Sequence, residues 1–300
     1  MIDGISMTCS EFILALSNVR RWGKTKVADY VIRHDYDLQE CLNFLELELT
    51  PDEIFGFEEG LKNAKIDLAK NAEQGISFIS MFDEAFPKTL CEARTPVIFL
   101  YYKGNIDLIN QEKKLAVVGK RETSDDLIPM SFVGLGNELV EQMVQRFDAI
   151  IVSGLATGCD TIAHRAALAN NGRTIAILPS SPGKIYPKEN VDLAKDIVEK
   201  NGLLISEYSV LDEIRESNFV QRDRIQSMLT NSIVVISSTP DGGTMHAVKR
   251  SKDDGKTTFA IVGNNLPYID EYIDPNNDND LIKVRVTLGG TEEVILGRRN

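Results

Sequence analysis

From residue 115 onward the chain alternates short apolar, β-branched runs with amphipathic stretches. The runs are LAVVG (115–119), AIIVS (149–153), TIAIL (174–178), LLIS (203–206), SIVVIS (232–237) and TTFAIV (257–262). Helical patterns fall between them near 126–146, 160–171, 190–200, 219–230 and 243–253. Strands that are apolar on both faces and separated by helices predict a parallel sheet covered on both sides. The expected fold is α/β: a Rossmann-like, doubly wound, mostly parallel sheet.

The flanking segments follow other rhythms. Residues 1–72 carry no such runs, and Leu14, Leu16, Val19, Val27, Val31 and Ile32 are spaced as short amphipathic helices around Arg20-Arg21-Trp22-Gly23. Residues 76–110 read as an extended connection with a strand at VIFLYY (97–102). After Gly263 an Asn/Asp/Pro-rich loop leads to LIKVRVTL, where Ile282, Val284 and Val286 alternate with Lys283, Arg285 and Thr287. With EEVIL on the far side of Gly289-Gly290, this predicts a β-hairpin. The expected organisation is a helical N-terminal domain (1–72), an extended lead-in (73–112), a Rossmann-like core (113–263) and a loop with a β-hairpin tail (264–300).

Composition narrows the class without choosing a function. At 300 residues, 43% hydrophobic and 26% charged, the chain is an ordinary globular protein with room for a large core. No apolar run reaches the ~18 residues of a bilayer span, and MIDGISMTCSEF lacks the basic start of a secretory signal. Cys9, Cys41, Cys91 and Cys159 form no CxxC pair, which disfavours a zinc site or a disulfide framework and fits the reduced cytoplasm. No metal or cofactor is expected.

The net charge of −12 would argue against a polyanion partner, but it is regional. Residues 37–59 hold eight acids and no Lys or Arg, and residues 263–281 hold five and again none. Outside both segments 32 acids face 33 bases, so a local basic groove is compatible with the composition.

Ligands of open α/β sheets bind beyond the carboxyl ends of the strands, and three turns there carry chemistry. VVGKRETSDD (117–126) places Gly119, Lys120 and Arg121 after a strand. VSGLATGCDTIAHRAALANNG (152–172) supplies Ser153, Gly154, Thr157 and Gly158. ISSTPDGGTMHAVK (236–249) supplies Gly242, Gly243 and Thr244 ahead of a helix. Glycines admit a ligand close to backbone, and helix N-terminal amides favour an anion. Alternatively, such glycines only make tight turns. The partial GxG of VGLGNEL (133–139) lies inside a helical pattern and is no dinucleotide fingerprint. Asp160 is placed to cap a helix starting at Thr161, and His164 one turn on reads as structural. Cys159 beside Asp160 raises a nucleophile, but His164 on a rigid helix is poorly placed to serve it. In FVQRDRIQSMLT (219–230), Arg222 and Arg224 flank Asp223; their forked guanidinium groups suit phosphate, and the alternative is a solvated helix end with Asp223 pairing locally.

Together these stretches resemble the DprA/Smf family, whose pattern runs IVGSR, SGxAxGxDxxAHxxAL, GxTIAVL, YPxxN, LLSE, FPxRNRIIxxLS and a Gly-rich turn before VFAxPG. The chain reads VVGKR, SGLATGCDTIAHRAAL, GRTIAIL, YPKEN, LLISE, FVQRDRIQSMLT, DGGTMHAV and TFAIVG in the same order over roughly 83–263. FPKTL (86–90) and YYKGNIDLIN (101–110) resemble the family's lead-in, and residues 14–31 weakly resemble its helical N-terminal segment. The resemblance implies a non-catalytic, homodimeric protein that binds single-stranded DNA and loads a RecA-type recombinase in recombination or natural transformation. By position it implies that Gly119, Lys120, Arg121, Ser153, Gly154, Thr157, Gly158, Arg222, Arg224, Gly242, Gly243 and Thr244 line the site, with Asp160 and His164 structural.

The chain departs from the pattern at Thr157, where many members carry Arg, and at Asp223, where the pattern has Asn. It ends in a short β tail where members often have a winged helix. The alternative is a nucleotide sensor or a nucleotide phosphoribohydrolase-like enzyme, because DGGTMHAVK resembles PGGxGTxxE. Met245, His246 and Ala247 follow Thr244, however, and no acid fills the glutamate position. A third reading makes the acidic 37–59 segment a protein-docking surface of an adaptor.

Overall fold

The computed structural model describes residues 6–122, 126–261, 263–264, 266–273, 282–287 and 291–296. The chain divides into two compact units. One is the N-terminal part through Lys103 together with Ser180–Lys184 and Ser206–Glu213, and the other takes Gly104–Pro179, Ile185–Ile205 and the chain from Ile214 on.

The first unit contains α1 (Cys9–Ser17), α2 (Lys24–Arg33), α3 (Leu38–Glu48), α4 (Pro51–Ala72), β1 (Ser77–Ser80), α5 (Lys88–Cys91) and β2 (Phe99–Gly104). Two of its helices start where a hydroxyl residue precedes a glutamate by three. Thr8 with Glu11 opens α1, and Thr50 with Glu53 opens α4, each as a reciprocal capping box. A Cβ at Gly60 of α4 would lie 2.8 Å from the Ala15 carbonyl of α1, so the two helices approach at backbone distance. Beside that crossing Phe12 and Phe57 meet edge to face at 5.8 Å.

Two details go beyond the sequence expectation. Within the helical 1–72 domain, residues 51–72 form one helix of 22 residues. The 76–110 connection holds a second strand, β1, antiparallel to β2 with Ser77 opposite Tyr102 and Ser80 opposite Phe99. Four residues are too few to establish a period, so pairing rather than local pattern makes β1 a strand.

The second unit runs β3 (Lys114–Val118), α6 (Met130–Phe147), β4 (Ile150–Ser153), α7 (Cys159–Ala169), β5 (Thr174–Ile177), α8 (Val191–Glu199), β6 (Leu203–Ser206), α9 (Glu216–Leu229), β7 (Ser232–Val235), α10 (Thr244–Asp253), β8 (Thr257–Ile261) and β9 (Glu271–Ile273). Its strand order is β6-β5-β4-β3-β7-β8-β9, with every pair parallel. The chain lays β4, β5 and β6 outward on one side of β3, then returns to place β7 on the other. The topological switch point therefore lies between β3 and β7, where Ala116 pairs with Ile233 and Val118 with Val235. In such sheets the crevice beyond this point is where ligands bind.

Alternation along β3 explains the apolar runs. Leu115 and Val117 join Leu139, Val140 and Met143 of α6 and Ala163 and Ala167 of α7 on one face. Ala116 and Val118 join Met245, Ala247 and Val248 of α10 on the other. Both faces are covered, so both sets of alternate positions from Leu115 to Val118 are apolar. VGLGNEL lies within α6, as its helical pattern predicts. Residues Ile282–Thr287 (β10) and Thr291–Leu296 (β11) pair antiparallel as a separate two-stranded sheet, and Gly289-Gly290 between them lies outside the described residues. No helix among the described residues is long and apolar enough to cross a membrane.

Candidate nucleic-acid interface

A cleft of about 670 Å³ opens at the carboxyl ends of β3 and β7, at the switch point. One wall is a stripe of α9 carrying Phe219, Arg222, Asp223 and Gln226, and the other a stripe of α10 carrying His246, Lys249, Arg250 and Asp253. These spacings of three, four and seven are what bring side chains onto one helix face. The β3–α6 turn adds Gly119, Lys120, Arg121 and Asp126, and the β7–α10 turn adds Ser238, Thr239, Gly242, Gly243 and Thr244. Lys120, Arg121, Arg222, Arg224, Lys249 and Arg250 face Asp126, Asp160, Asp223 and Asp253, leaving the lining net cationic in an acidic protein.

Of the residues expected to contact phosphate, Gly119, Lys120, Arg121, Arg222, Arg224, Gly242, Gly243 and Thr244 line this cleft. Ser153, Gly154, Thr157 and Gly158 do not, and each has a packing reason. Ser153 is fully buried and its hydroxyl donates to the Val117 carbonyl at 2.6 Å. Gly154 leaves space for Arg222: a Cβ there would sit 1.3 Å from the guanidinium Nη1. Thr157 Oγ1 donates to the Glu122 carbonyl at 2.9 Å. Gly158 has φ +87°, and a Cβ on it would be 2.5 Å from both the Lys120 carbonyl and the Glu122 amide nitrogen. Backbone bonds from Cys159 N to Lys120 O and from Lys120 N to Ser237 O stitch the three turns together at 3.2 and 2.7 Å.

Asp160 is not the cap expected for it. The helix begins at Cys159 with Gly158 in the cap position, which puts Asp160 inside the first turn. From there its carboxylate turns back and accepts from the Gly154 and Ala156 amides at 3.2 and 3.3 Å. The Arg222 guanidinium lies 3.9 Å from the same oxygen and donates to the Ile177 carbonyl at 3.0 Å. Arg222 Nε lies 2.8 Å from Asp223 Oδ1, an ion pair without hydrogen-bond alignment. Arg222 is only 4% exposed. It is as much a buried strut of the 153–160 turn as a cationic wall of the cleft.

The Cys159–Asp160–His164 trio is buried. The Cys159 thiol is buried and pushed up to about 12, chiefly by desolvation, so it stays protonated. His164 is fully buried and held down to about 3, first by desolvation and then by the Arg222 charge. Thr174 Oγ1 donates to the Ile151 carbonyl at 2.7 Å, so at its 2.7 Å contact with His164 it must accept from Nδ1–H. His164 is thus the neutral Nδ1–H tautomer.

At the cleft mouth the charges are more accessible. Lys120 Nζ pairs with the exposed Asp126 carboxylate, a contact a phosphate can replace. Arg121 is exposed and sits over the Phe219 ring at 4.8 Å, and Tyr186 meets that ring edge-on at 5.6 Å. Arg224 is buried, with Nη1 donating to the Gln221 carbonyl at 2.7 Å. A Cβ at Gly243 would meet nothing within 4 Å, so the start of α10 faces open space. Phe219, Gln226, His246 and Lys249 were not singled out from sequence. Phe219 and Gln226 stand three and four residues from Arg222, a helical spacing that marks a face without saying what the face borders.

Comparison with known proteins assigns the family. The model described as DNA recombination-mediator protein A matches residues 77–270. The chain belongs to that family. It is similar to the DNA processing protein DprA of Streptococcus pneumoniae, 35% identical over 66% of this chain and 67% of that protein. It is also similar to DprA of Bacillus subtilis, 30% identical over 65% of this chain and 64% of that protein. Protein Smf of Escherichia coli is 31% identical over 55% of this chain, which spans only 42% of the Smf length.

Among solved DprA structures, that of Streptococcus pneumoniae superposes with a TM-score of 0.68 at 25% identity, covering 88% of this chain and 90% of that one. The DprA of Helicobacter pylori, described for its single-stranded DNA binding mode, gives 0.52 at 27% identity over 63% of this chain and 82% of that one. The mixed α/β fold and the recombination-mediator kinship are therefore established.

Proposed function

We infer that this chain is a cytoplasmic single-stranded DNA-binding protein that acts without catalysing a reaction and mediates loading of a RecA-type recombinase. A homodimer would be the working form, in recombination or DNA uptake. The observation that carries the reading is a net cationic cleft at the switch point of a DprA-family fold. The Helicobacter pylori relative, whose description names single-stranded DNA binding, supports the choice of ligand.

In this reading Lys120, Arg121 and Lys249 meet backbone phosphates, and the amides at Gly243-Thr244 add a helix-terminal anion site. Phe219 offers a ring for base stacking under the Arg121 guanidinium. Arg222, Ser153, Gly154 and Gly158 contribute by holding the turn that shapes the cleft. The test is fluorescence anisotropy with oligo(dT) and duplex DNA at rising salt. Single-strand binding that falls with salt is expected, and no binding at low salt refutes the reading. Recombinase loading is tested separately, by RecA filament formation on strands coated with single-strand-binding protein.

A further inference from the structure

The cleft contains a polar group that phosphate binding does not use. Gln226 lines it from α9, is 2% exposed, and its Nε2 has no hydrogen-bond partner among the described residues. A buried amide donor left unpaired is costly, which makes it a marker for something absent that would satisfy it. The Gln226 side chain can both donate and accept, whereas its neighbour Ile225 is apolar.

What surrounds Gln226 indicates the ligand class. Two α9 turns nearer the mouth, on the same stripe, Phe219 presents an aromatic ring. Across the cleft α10 begins at Thr244 with no side-chain cap, and Gly243 faces open space. The lining thus combines an aromatic face, a helix N-terminus and a recessed amide within a volume of about 670 Å³. Stacking, anion binding and paired hydrogen bonding are what the base plane, phosphate and base edge of a nucleotide require.

We propose that the switch-point cleft holds one nucleotide whose base edge is read by the Gln226 amide while its phosphate meets the start of α10. The preferred base is adenine, because a glutamine amide donates to adenine N7 and accepts from its N6 amino group as a bidentate pair. This rests on the single-stranded DNA reading for its natural ligand, and it adds a base preference at one position to otherwise sequence-tolerant binding.

The test compares three strands by anisotropy: oligo(dT), the same strand with adenines at alternate positions, and that strand with 7-deaza-adenine, which lacks the N7 acceptor. The adenine strand is expected to bind on the order of tenfold more tightly than oligo(dT), with the 7-deaza strand losing the gain. In Gln226→Ile the adenine-to-thymine ratio collapses to about one. Equal affinity of the wild type for all three strands, or a ratio unchanged in Gln226→Ile, overturns the proposal while leaving strand binding intact. If no strand binds at low salt, the DNA reading fails and calorimetry with deoxyadenosine monophosphate decides. Heat that disappears in Gln226→Ile keeps the site as one for a free nucleotide, and no heat in the wild type overturns it.

Discussion

Gly154→Ala tests whether the 153–160 turn is built around Arg222. The new Cβ would fall 1.3 Å from Nη1, inside covalent distance, so the guanidinium has to leave its place. Leaving means giving up the 3.0 Å bond to the Ile177 carbonyl and the 3.9 Å approach to Asp160. Asp160 then remains buried without its cation, held by two backbone amides at 3.2 and 3.3 Å. Burial already raises the Asp160 pKa in spite of the Arg222 charge, so the carboxyl can take a proton when the cation leaves, and the main loss is the charged hydrogen bond to the buried Ile177 carbonyl, about 2 kcal/mol. In a domain of this size that corresponds to a fall in Tm of about 6 °C.

Urea and thermal unfolding of the purified variant give the direct measurement, and a cycle with Arg222→Met isolates the cause. Without the guanidinium there is nothing for the methyl group to displace. Gly154→Ala should therefore cost far less in the Arg222→Met background than in the wild type. A single variant within about 1 kcal/mol of wild type, or strict additivity of the pair, would refute the strut.

The other predictions concern charge. His164, held down to about 3 from 6.5, stabilises the fold fully above pH 6.5 and loses that contribution as pH falls toward 3. Between pH 6.5 and 5 the loss is about 2 kcal/mol, and urea unfolding should show it in the wild type but not in His164→Gln. Asp223→Asn removes a carboxylate from the cleft lining. For unit charges about 6 Å apart in water this is worth roughly 0.7 kcal/mol, so oligo(dT) affinity should rise about threefold at low salt, and weaker binding would contradict it. Lys120→Ala and Lys249→Ala should each lower the slope of log K against log salt by about 0.7, measured by anisotropy across a salt series. Gln226→Ile should raise stability by about 1 kcal/mol in ligand-free unfolding, because it removes a buried donor with no partner.

The sheet was legible in the sequence because it is covered on both faces. Leu115 to Val118 must all be apolar when alternate residues enter different cores, and such runs stand out without any knowledge of their partners. The turns were legible too, since glycine and polar residues after each run mark the carboxyl edge where ligands gather. What local sequence could not assign was which of those residues face the cleft. Ser153 and Gly154 carry the same residue types as a phosphate loop, yet one is bonded to Val117 across the sheet and the other makes room for Arg222, 68 positions away. Phe219 and Gln226 gained meaning only when α9 was set beside α10 at the switch point. Periodicity reports how a segment divides between inside and outside, which is local. The partner of a buried charge, and the wall opposite a helix face, depend on the crossing of segments far apart in the chain, and only the tertiary structure decides them.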